Sequence, residues 1–287
     1  MATMRQIRSR IRVAKNIQQI TKAMKMVAAA RLKRAQDRVT SARPYAAKMR
    51  EVVGGLAQAT SDSVEHPLLE KRPVSRTGVL VITADRGLCG SYNSGVIRKA
   101  GELLETLSRD DTVLYTIGRK GTAFFRRRGY TIREAIEVDL GAVDFAQATA
   151  VAGKLRQAFE AREFDELYVV YTQFVTAMTQ IPKALKLLPA EPSTDAQTEM
   201  ASSVIFEPSA HALLAELLPR YLVTQIYQAL LESVASEHGS RMTSMSSATD
   251  NAGKMISTLT LSLNRARQAA ITKEISEIVG GAESLKG

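Results

Sequence analysis

The sequence predicts an α/β protein, with a long antiparallel coiled coil of N- and C-terminal helices plus a central Rossmann-like α/β domain. Three observations support this fold class. Residues 4–59 are helix-compatible and hold no glycine before Gly54, short β-branched strands then alternate with helices, and a second helical pattern begins at Ser209. The predicted domains are residues 1–60 (N-terminal coiled-coil helix), 74–190 (central α/β domain) and 209–287 (C-terminal coiled-coil helix).

The N-terminal helix has apolar or small residues spaced 3.5 positions apart on average, which is typical of a left-handed coiled-coil seam. Met26, Val27 and Ala29 are also apolar, so several registers are nearly equivalent. Pro44 is a possible kink. The predicted seam consists of Ile7, Ile11, Ala14, Ile17, Ile20, Met24, Ala28, Leu32, Ala35, Val39 and Ala42.

The central segment changes from helical periodicity to short apolar runs. Buried strands that alternate with helices indicate a small, largely parallel sheet. Residues 181–188 predict an additional edge strand, although Pro182 weakens that interpretation. The predicted strands are 77–83, 112–117 and 167–173, and the predicted helices lie near 93–108, 122–128 and 144–162.

The C-terminal segment predicts a helix from the N-cap Ser209 to about Leu285. Pro219 should kink it or split off a first segment. Helices of about 80 Å and about 100 Å follow from the two lengths, so the second helix should overhang the first when they pair antiparallel. The predicted seam here consists of Met242, Met245, Ala248, Ala252, Met255, Leu259, Leu263, Ala266 and Ala270.

The net charge of +10 is concentrated at the N-terminus. Residues 1–50 hold fourteen Lys and Arg against a single acid, Asp37, for a net of +13, so the remaining residues sum to −3. Such a segment needs an acidic or polar neighbour. A nucleic-acid-binding coiled coil is therefore an alternative, although Tyr45 is the only aromatic ring among these residues.

Residues 84–91 (ADRGLCGS) lie between a predicted strand and helix, where phosphate-binding loops occur. A Walker loop needs Gly-Lys-Ser/Thr and a dinucleotide loop needs G-x-G-x-x-G, and neither pattern is present. Cys89 is the single cysteine, and the three histidines have no metal-ligand spacing. We therefore expect no catalytic, cofactor-binding or metal site, although a small α/β enzyme stays open as a third hypothesis.

Four segments resemble the gamma subunits of F-type ATP synthases of the bacterial type, in the right order along the chain. They are Ile20–Ala30 (ITKAMKMVAAA), Ile82–Asn93 (ITADRGLCGSYN), Ala248–Ala252 (ATDNA) and Asn264–Gly281 (NRARQAAITKEISEIVGG). The resemblance implies a non-catalytic central-stalk rotor that couples proton-driven c-ring rotation to ATP synthesis and hydrolysis at the beta subunits. Its partners would be the alpha, beta and epsilon subunits and the membrane c-ring, without nucleic acid. It would lie at the cytoplasmic face of the cell membrane and meet the membrane only through the c-ring.

The resemblance also assigns contact residues. Arg267, Gln268 and Thr272 would contact a beta subunit, with Met24 and Lys25 at the matching level of the N-terminal helix. Glu207 would lie near the c-ring and the epsilon subunit. The apolar tip that turns within its bearing would consist of Ile275, Ile278 and Val279.

Overall fold

The computed structural model describes residues 3–60, 66–190 and 209–284. Contacts divide the chain into two compact units, Met1–Ala28 with Met242–Gly287, and Ala29–Arg241. Each unit is described by itself below.

The two long helices predicted from the sequence are confirmed. Helix α1 spans Met4–Thr60 and helix α5 spans Ala210–Ser284. The Ser209 hydroxyl accepts a hydrogen bond from the Ala212 amide at 3.2 Å, so Ser209 is the expected N-cap.

Pro219 lies inside α5, which continues through it as one helix. The predicted alternative in which Pro219 splits off a first segment was therefore wrong. Leu214, Leu218 and Leu222 are almost fully buried around it, at spacings of four residues. Burying a leucine side chain stabilises by about 1.5–3 kcal/mol, so this packing offsets the hydrogen bond that proline cannot make.

The central sheet has five strands in the order β3-β2-β1-β4-β5. Strands β1 to β4 are parallel, and β5 pairs antiparallel with β4, which confirms a largely parallel sheet and the edge strand at Pro182. The strands are β1 Thr77–Ile82, β2 Thr112–Ile117, β3 Ile132–Ile136, β4 Glu166–Phe174 and β5 Gln180–Leu188. The sequence interpretation missed β3.

Three shorter helices connect the parallel strands. They are α2 Tyr92–Glu105, α3 Arg119–Arg127 and α4 Phe145–Glu160. Asp144 and Gln147 form a capping box at the start of α4, as the Asp-x-x-Gln spacing allows. Residues 79–82 of β1 are completely buried because the central strand of such a sheet is covered on both faces.

In the unit Met1–Ala28 with Met242–Gly287, the ends of α1 and α5 run antiparallel. The Thr249 hydroxyl donates to the Thr21 hydroxyl at 2.8 Å, and the Lys25 Nζ donates to the Ser246 hydroxyl at 3.0 Å. The residue numbers of these pairs change in opposite directions, which confirms the predicted antiparallel pairing.

The predicted seam was wrong at three positions of this unit. Ile17 and Ile20 are 48% and 59% exposed, whereas Thr21 is 9% exposed. Ala14, Thr21 and Ala28 are buried at intervals of seven residues. The observed seam therefore keeps the heptad repeat, with a polar residue, Thr21, at one of its core positions. On α5 the predicted Met255 is likewise 58% exposed.

In the unit Ala29–Arg241, the predicted seam of α1 holds at Leu32, Ala35 and Val39, which are all buried. Arg43 donates to the Glu232 carboxylate at 3.4 Å, and Arg50 donates to the Gln225 side chain at 3.4 Å. The two helices are therefore antiparallel in this unit as well.

Candidate functional site

The turn after β1 occupies the position where doubly wound sheets bind their ligands. Strands β1 and β4 are neighbours at the point where the strand order reverses, and ligands bind beyond the carboxyl ends of such strands. The turn is sharply folded, since Leu88 has a φ of 61° and Gly90 a φ of 55°. A leucine in this left-handed region is unusual, and its side chain is 64% exposed.

The polar groups of this turn bind other parts of the protein. The Asn93 side chain accepts from the Ala84 amide at 2.9 Å, and the Asp85 carboxylate accepts from the Arg119 amide at 3.0 Å. The Thr83 hydroxyl lies between the ends of β1 and β2, where it accepts from the Gly121 amide at 2.8 Å. The turn is thus fixed by the next turn of the sheet.

Helix α5 closes the crevice beyond β1 and β4. The Ser240 hydroxyl donates to the Cys89 carbonyl at 2.6 Å, and the Arg241 guanidinium donates to the Gly87 carbonyl at 3.3 Å. The Ser236 hydroxyl donates to the Thr172 carbonyl at 3.2 Å, at the end of β4. A segment of the chain itself therefore occupies the place of a ligand.

The titratable groups around this contact are buried. Burial raises the pKa of the Cys89 thiol and of the Glu237 carboxyl, although the Arg241 guanidinium opposes both shifts. Burial and the nearby Arg241 lower the pKa of His238 to about 4, so this imidazole is neutral at pH 7. The Cys89 sulfur accepts from the Asn93 side-chain amide at 3.2 Å, so its contacts are those of a packed structural thiol.

The described residues also bear on two other classes of site. Among them, no group of three or more His, Cys, Asp or Glu side chains is arranged to hold a metal ion. No helix within the same residues combines the length and hydropathy needed to cross a bilayer.

The residues assigned to partner contact at the end of α5 are all accessible. The side chains of Arg267, Gln268 and Thr272 are exposed. The apolar residues of the tip are exposed as well, to 56%, 71% and 59% for Ile275, Ile278 and Val279 respectively. Three large apolar side chains are thus exposed to water within five positions. Burying them against a partner would be energetically favourable.

Met24 and Lys25 do not lie at the level of Arg267, which corrects the sequence-based expectation. Lys25 contacts Ser246. Arg267 lies 21 residues further along α5, which corresponds to about 30 Å. The expectation was wrong because it matched the two helices by family resemblance and not by their pairing register. Glu207 lies outside the described residues.

A second apolar row on α1, exposed to solvent, was not recognised from the sequence. Val13, Ile17, Ile20 and Val27 are each 48–59% exposed and recur at intervals of four, three and seven residues. The sequence carried the signal, since residues 7–28 contain two apolar series of similar spacing, but the interpretation merged them into one seam.

Comparison with known proteins identifies the family to which this chain is similar. A family model described as ATP synthase matches residues 3–285. The ATP synthase gamma chain of Heliobacterium modesticaldum is 52% identical over 99% of this chain and all of the relative. That of Desulforamulus reducens is 50% identical over the full length of both.

The chain belongs to the ATP synthase gamma chain family. A solved central stalk and c-ring of the Tetrahymena thermophila mitochondrial ATP synthase contains a chain of the same fold. Its TM-score is 0.62 and its identity 28%, over 80% of this chain and 99% of that one. Membership of the gamma chain family favours the central-stalk interpretation over a nucleic-acid-binding coiled coil.

Proposed function

We propose that this chain is the central-stalk rotor subunit of an F-type ATP synthase. It couples proton-driven rotation of the c-ring to ATP synthesis and hydrolysis at the beta subunits. Its role is non-catalytic, and it works at the cytoplasmic face of the cell membrane with alpha, beta and epsilon subunits and the c-ring as partners. The observation that carries this proposal is full-length membership of the gamma chain family.

The surface of α1 supports a rotor that turns inside other subunits. Residues 1–28 hold seven Lys and Arg and no acid. An exposed apolar row lies beside these cations, at Val13, Ile17, Ile20 and Val27. Charge directs association with an acidic surface, and apolar contact adds affinity once the surfaces meet.

The beta-subunit contacts are proposed at two levels of the paired helices. Met24 and Lys25 form one level with Ser246. Arg267, Gln268 and Thr272 form the other, about 30 Å further along α5. Both levels carry long polar side chains, which suit hydrogen bonds that are broken and remade as the rotor turns.

The end of α5 is proposed to turn in an apolar bearing formed by the surrounding subunits. The exposure of Ile275, Ile278 and Val279 supports this assignment. The contact of Glu207 with the c-ring and the epsilon subunit is supported by the sequence resemblance alone.

Reconstitution tests the proposed function. The purified chain is mixed with alpha and beta subunits of a related bacterial ATP synthase, and complex formation and ATP hydrolysis are measured against the alpha and beta subunits alone. We expect a stoichiometric complex with increased hydrolysis. A salt-sensitive shift of DNA mobility without assembly would instead support the nucleic-acid alternative, and turnover of a nucleotide by the isolated chain would support an enzyme.

A further inference from the structure

A groove of about 1120 Å³ lies between α2 and α3 of the α/β domain. Its apolar lining includes Ile97 of α2 and Phe124 of α3, which are both half-buried. A Cβ added to Gly101 of α2 would meet no atom within 4 Å, so this part of the helix surface is open. Small-molecule sites have volumes of about 300–1,000 Å³, so the groove has room for one organic ligand. We refer to it as the α2–α3 groove.

Four cationic side chains line this groove without a carboxylate partner. None of them forms an ion pair with another described residue, whereas Arg119 beside them pairs with Asp85 at 3.8 Å. Arg98 and Glu102 also line the groove, but they pair with each other at 4.0 Å. Four cations against the one remaining acid, Glu105, leave a net charge of +3. The four are Arg109, Lys120, Arg127 and Arg128.

Two of these guanidinium groups lie over aromatic rings. Cζ of Arg109 lies 4.6 Å from the centroid of the Tyr130 ring, and Cζ of Arg128 lies 5.2 Å from that of Phe124. The buried Phe125 packs edge-on against both rings, which fixes them to the core. An aromatic ring attracts a guanidinium through its face and leaves the N–H groups along the edge unused. Arg109 and Arg128 can therefore bind an anion with two parallel hydrogen bonds.

A buried hydroxyl at the groove adds an observation that is independent of charge. Thr172 of β4 lines the groove and is 2% exposed, and its Oγ1 has no hydrogen-bond partner among the described residues. Buried polar atoms in folded proteins nearly always have a partner, because leaving one unpaired is destabilising. A ligand that fills the groove can make the hydrogen bond that no described residue makes.

We propose that the α2–α3 groove binds an organic oligophosphate, the class to which nucleoside di- and triphosphates belong. A terminal phosphate carries about −2 charge and three acceptor oxygens, so two or three linked phosphates match the charge of the groove. The apolar lining at Ile97 and Phe124 contacts the organic part of the ligand. An acidic peptide fits less well, since its backbone N–H and C=O groups would also need partners in the groove.

The site differs from the phosphate-binding loops considered in the sequence. Side-chain cations on two helices hold the phosphates, and no glycine-rich turn is involved, so neither loop pattern is needed. The groove is also separate from the turn after β1, which α5 closes at Ser240 and Arg241. The inference therefore does not depend on the proposed rotor function.

Calorimetric titration of the purified full-length chain tests the site, in magnesium-free buffer at physiological salt. The probes are ATP, tripolyphosphate, adenosine and an oligoglutamate peptide. The variants are Arg127→Gln/Arg128→Gln and Thr172→Val. The matched control is Arg126→Gln, because Arg126 is an exposed cation of the same helical turn that does not line the groove. Circular dichroism and the thermal midpoint of each variant show that it is folded.

We expect ATP to bind more tightly than tripolyphosphate, and adenosine and the peptide not to bind. The double variant should weaken ATP binding about tenfold or more, because hydrogen bonds between charged groups are lost. Thr172→Val should weaken it about fivefold while the thermal midpoint stays unchanged or rises, since the variant removes an unpaired buried hydroxyl. Arg126→Gln should match the wild type.

Four results would overturn the inference. They are no binding of ATP, equal affinity for tripolyphosphate and ATP, an equal loss of affinity in Arg126→Gln and in the double variant, and tighter binding of the peptide than of ATP. The second and third would reduce the groove to a patch of positive charge, and the fourth would assign it to an acidic protein partner. All four leave the rotor function untouched, because that function is tested by assembly with alpha and beta subunits.

Discussion

The hydroxyl oxygens of Thr21 and Thr249 lie 2.8 Å apart in the seam between α1 and α5. Thr21 also donates to the Gln18 carbonyl at 3.1 Å, so its hydroxyl is satisfied as donor and acceptor. A polar pair in an apolar seam gives less stability than an aliphatic pair, but it fixes the register because a shifted partner leaves it unsatisfied. Thr21 and Thr249 therefore define the alignment of the two helices in this unit.

Replacing both residues, Thr21→Val with Thr249→Val, should loosen this register while leaving the thermal midpoint unchanged or higher. The measurement is the yield of cross-linking between Gln18→Cys and Gly253→Cys by a short bismaleimide, in a Cys89→Ser background, since the Nε2 end of the Gln18 side chain lies 3.1 Å from an added Cβ at Gly253. We expect a lower yield than with both threonines present. Thr258→Val is the control, because Thr258 is exposed and donates to the Lys254 carbonyl of its own helix. An unchanged yield would assign the register to the apolar residues instead.

The double variant Arg267→Ala/Gln268→Ala should impair assembly and coupling without unfolding the α/β domain. A hydrogen bond to a charged group contributes on the order of 1.5–3 kcal/mol, so losing such contacts at each beta subunit should lower ATP synthesis and hydrolysis. Circular dichroism of the free chain should stay nearly unchanged. Arg265→Ala removes a neighbouring exposed cation and is the matched control. Normal complex yield and synthesis in the double variant would remove this site assignment.

Gly118→Ala should destabilise the α/β domain by roughly 3 kcal/mol or more. Gly118 has a φ of 87°, and a Cβ there would lie 2.0 Å from the Thr83 carbonyl oxygen. Gly129 is the control that isolates backbone strain from steric clash. Its φ is also positive, at 78°, but no atom lies within 4 Å of an added Cβ. Gly129→Ala should cost only about 1–2 kcal/mol. Denaturant unfolding of both variants measures the difference, and equal losses would show that backbone strain alone decides the effect.

His238→Asn should make the chain more resistant to acid. The pKa of His238 is lowered to about 4 in the folded chain, against 6.5 when unfolded, so the unfolded state binds more protons between these values. Stability is therefore lost as the pH falls from 6.5 towards 4, by about 2 kcal/mol at pH 5. The variant should lose less stability over this window in urea titrations at pH 7 and pH 5. His211→Asn, at an exposed position, is the control, and equal pH dependence of both variants would contradict the assignment.

The long helices and the parallel strands could be predicted from the sequence because their patterns are strong. Strand β3 was missed because Arg133 and Glu134 interrupt its apolar pattern. Glu134 is half-buried, and it forms an ion pair with Lys154 of α4. Such a contact depends on tertiary structure and leaves no local signal.

The coiled-coil seam shows a different limit of sequence interpretation. Ile17 and Ile20 are more apolar than Gln18 and Thr21, yet the polar pair lies nearer the partner helix. The buried seam and the exposed apolar row have the same spacing, so hydropathy along one sequence does not distinguish the two. The level of Lys25 against Ser246 was unpredictable for the same reason, since it depends on the pairing register.

The register fixed by Thr21 and Thr249 has a consequence for the end of α5. If the pairing of Lys25 with Ser246 continues at the same offset, Met4, the first residue of α1, lies level with Arg267. The helix beyond that level then has no second helix beside it among the described residues, and an isolated helix of about four turns is marginal in water. The ion pair between Lys273 and Glu277 stabilises this part of the helix by only a few tenths of a kcal/mol. Helix formation and partner binding should therefore be one coupled step here, so trypsin should cleave the unassembled chain after Lys273 and spare the same bond in the complex.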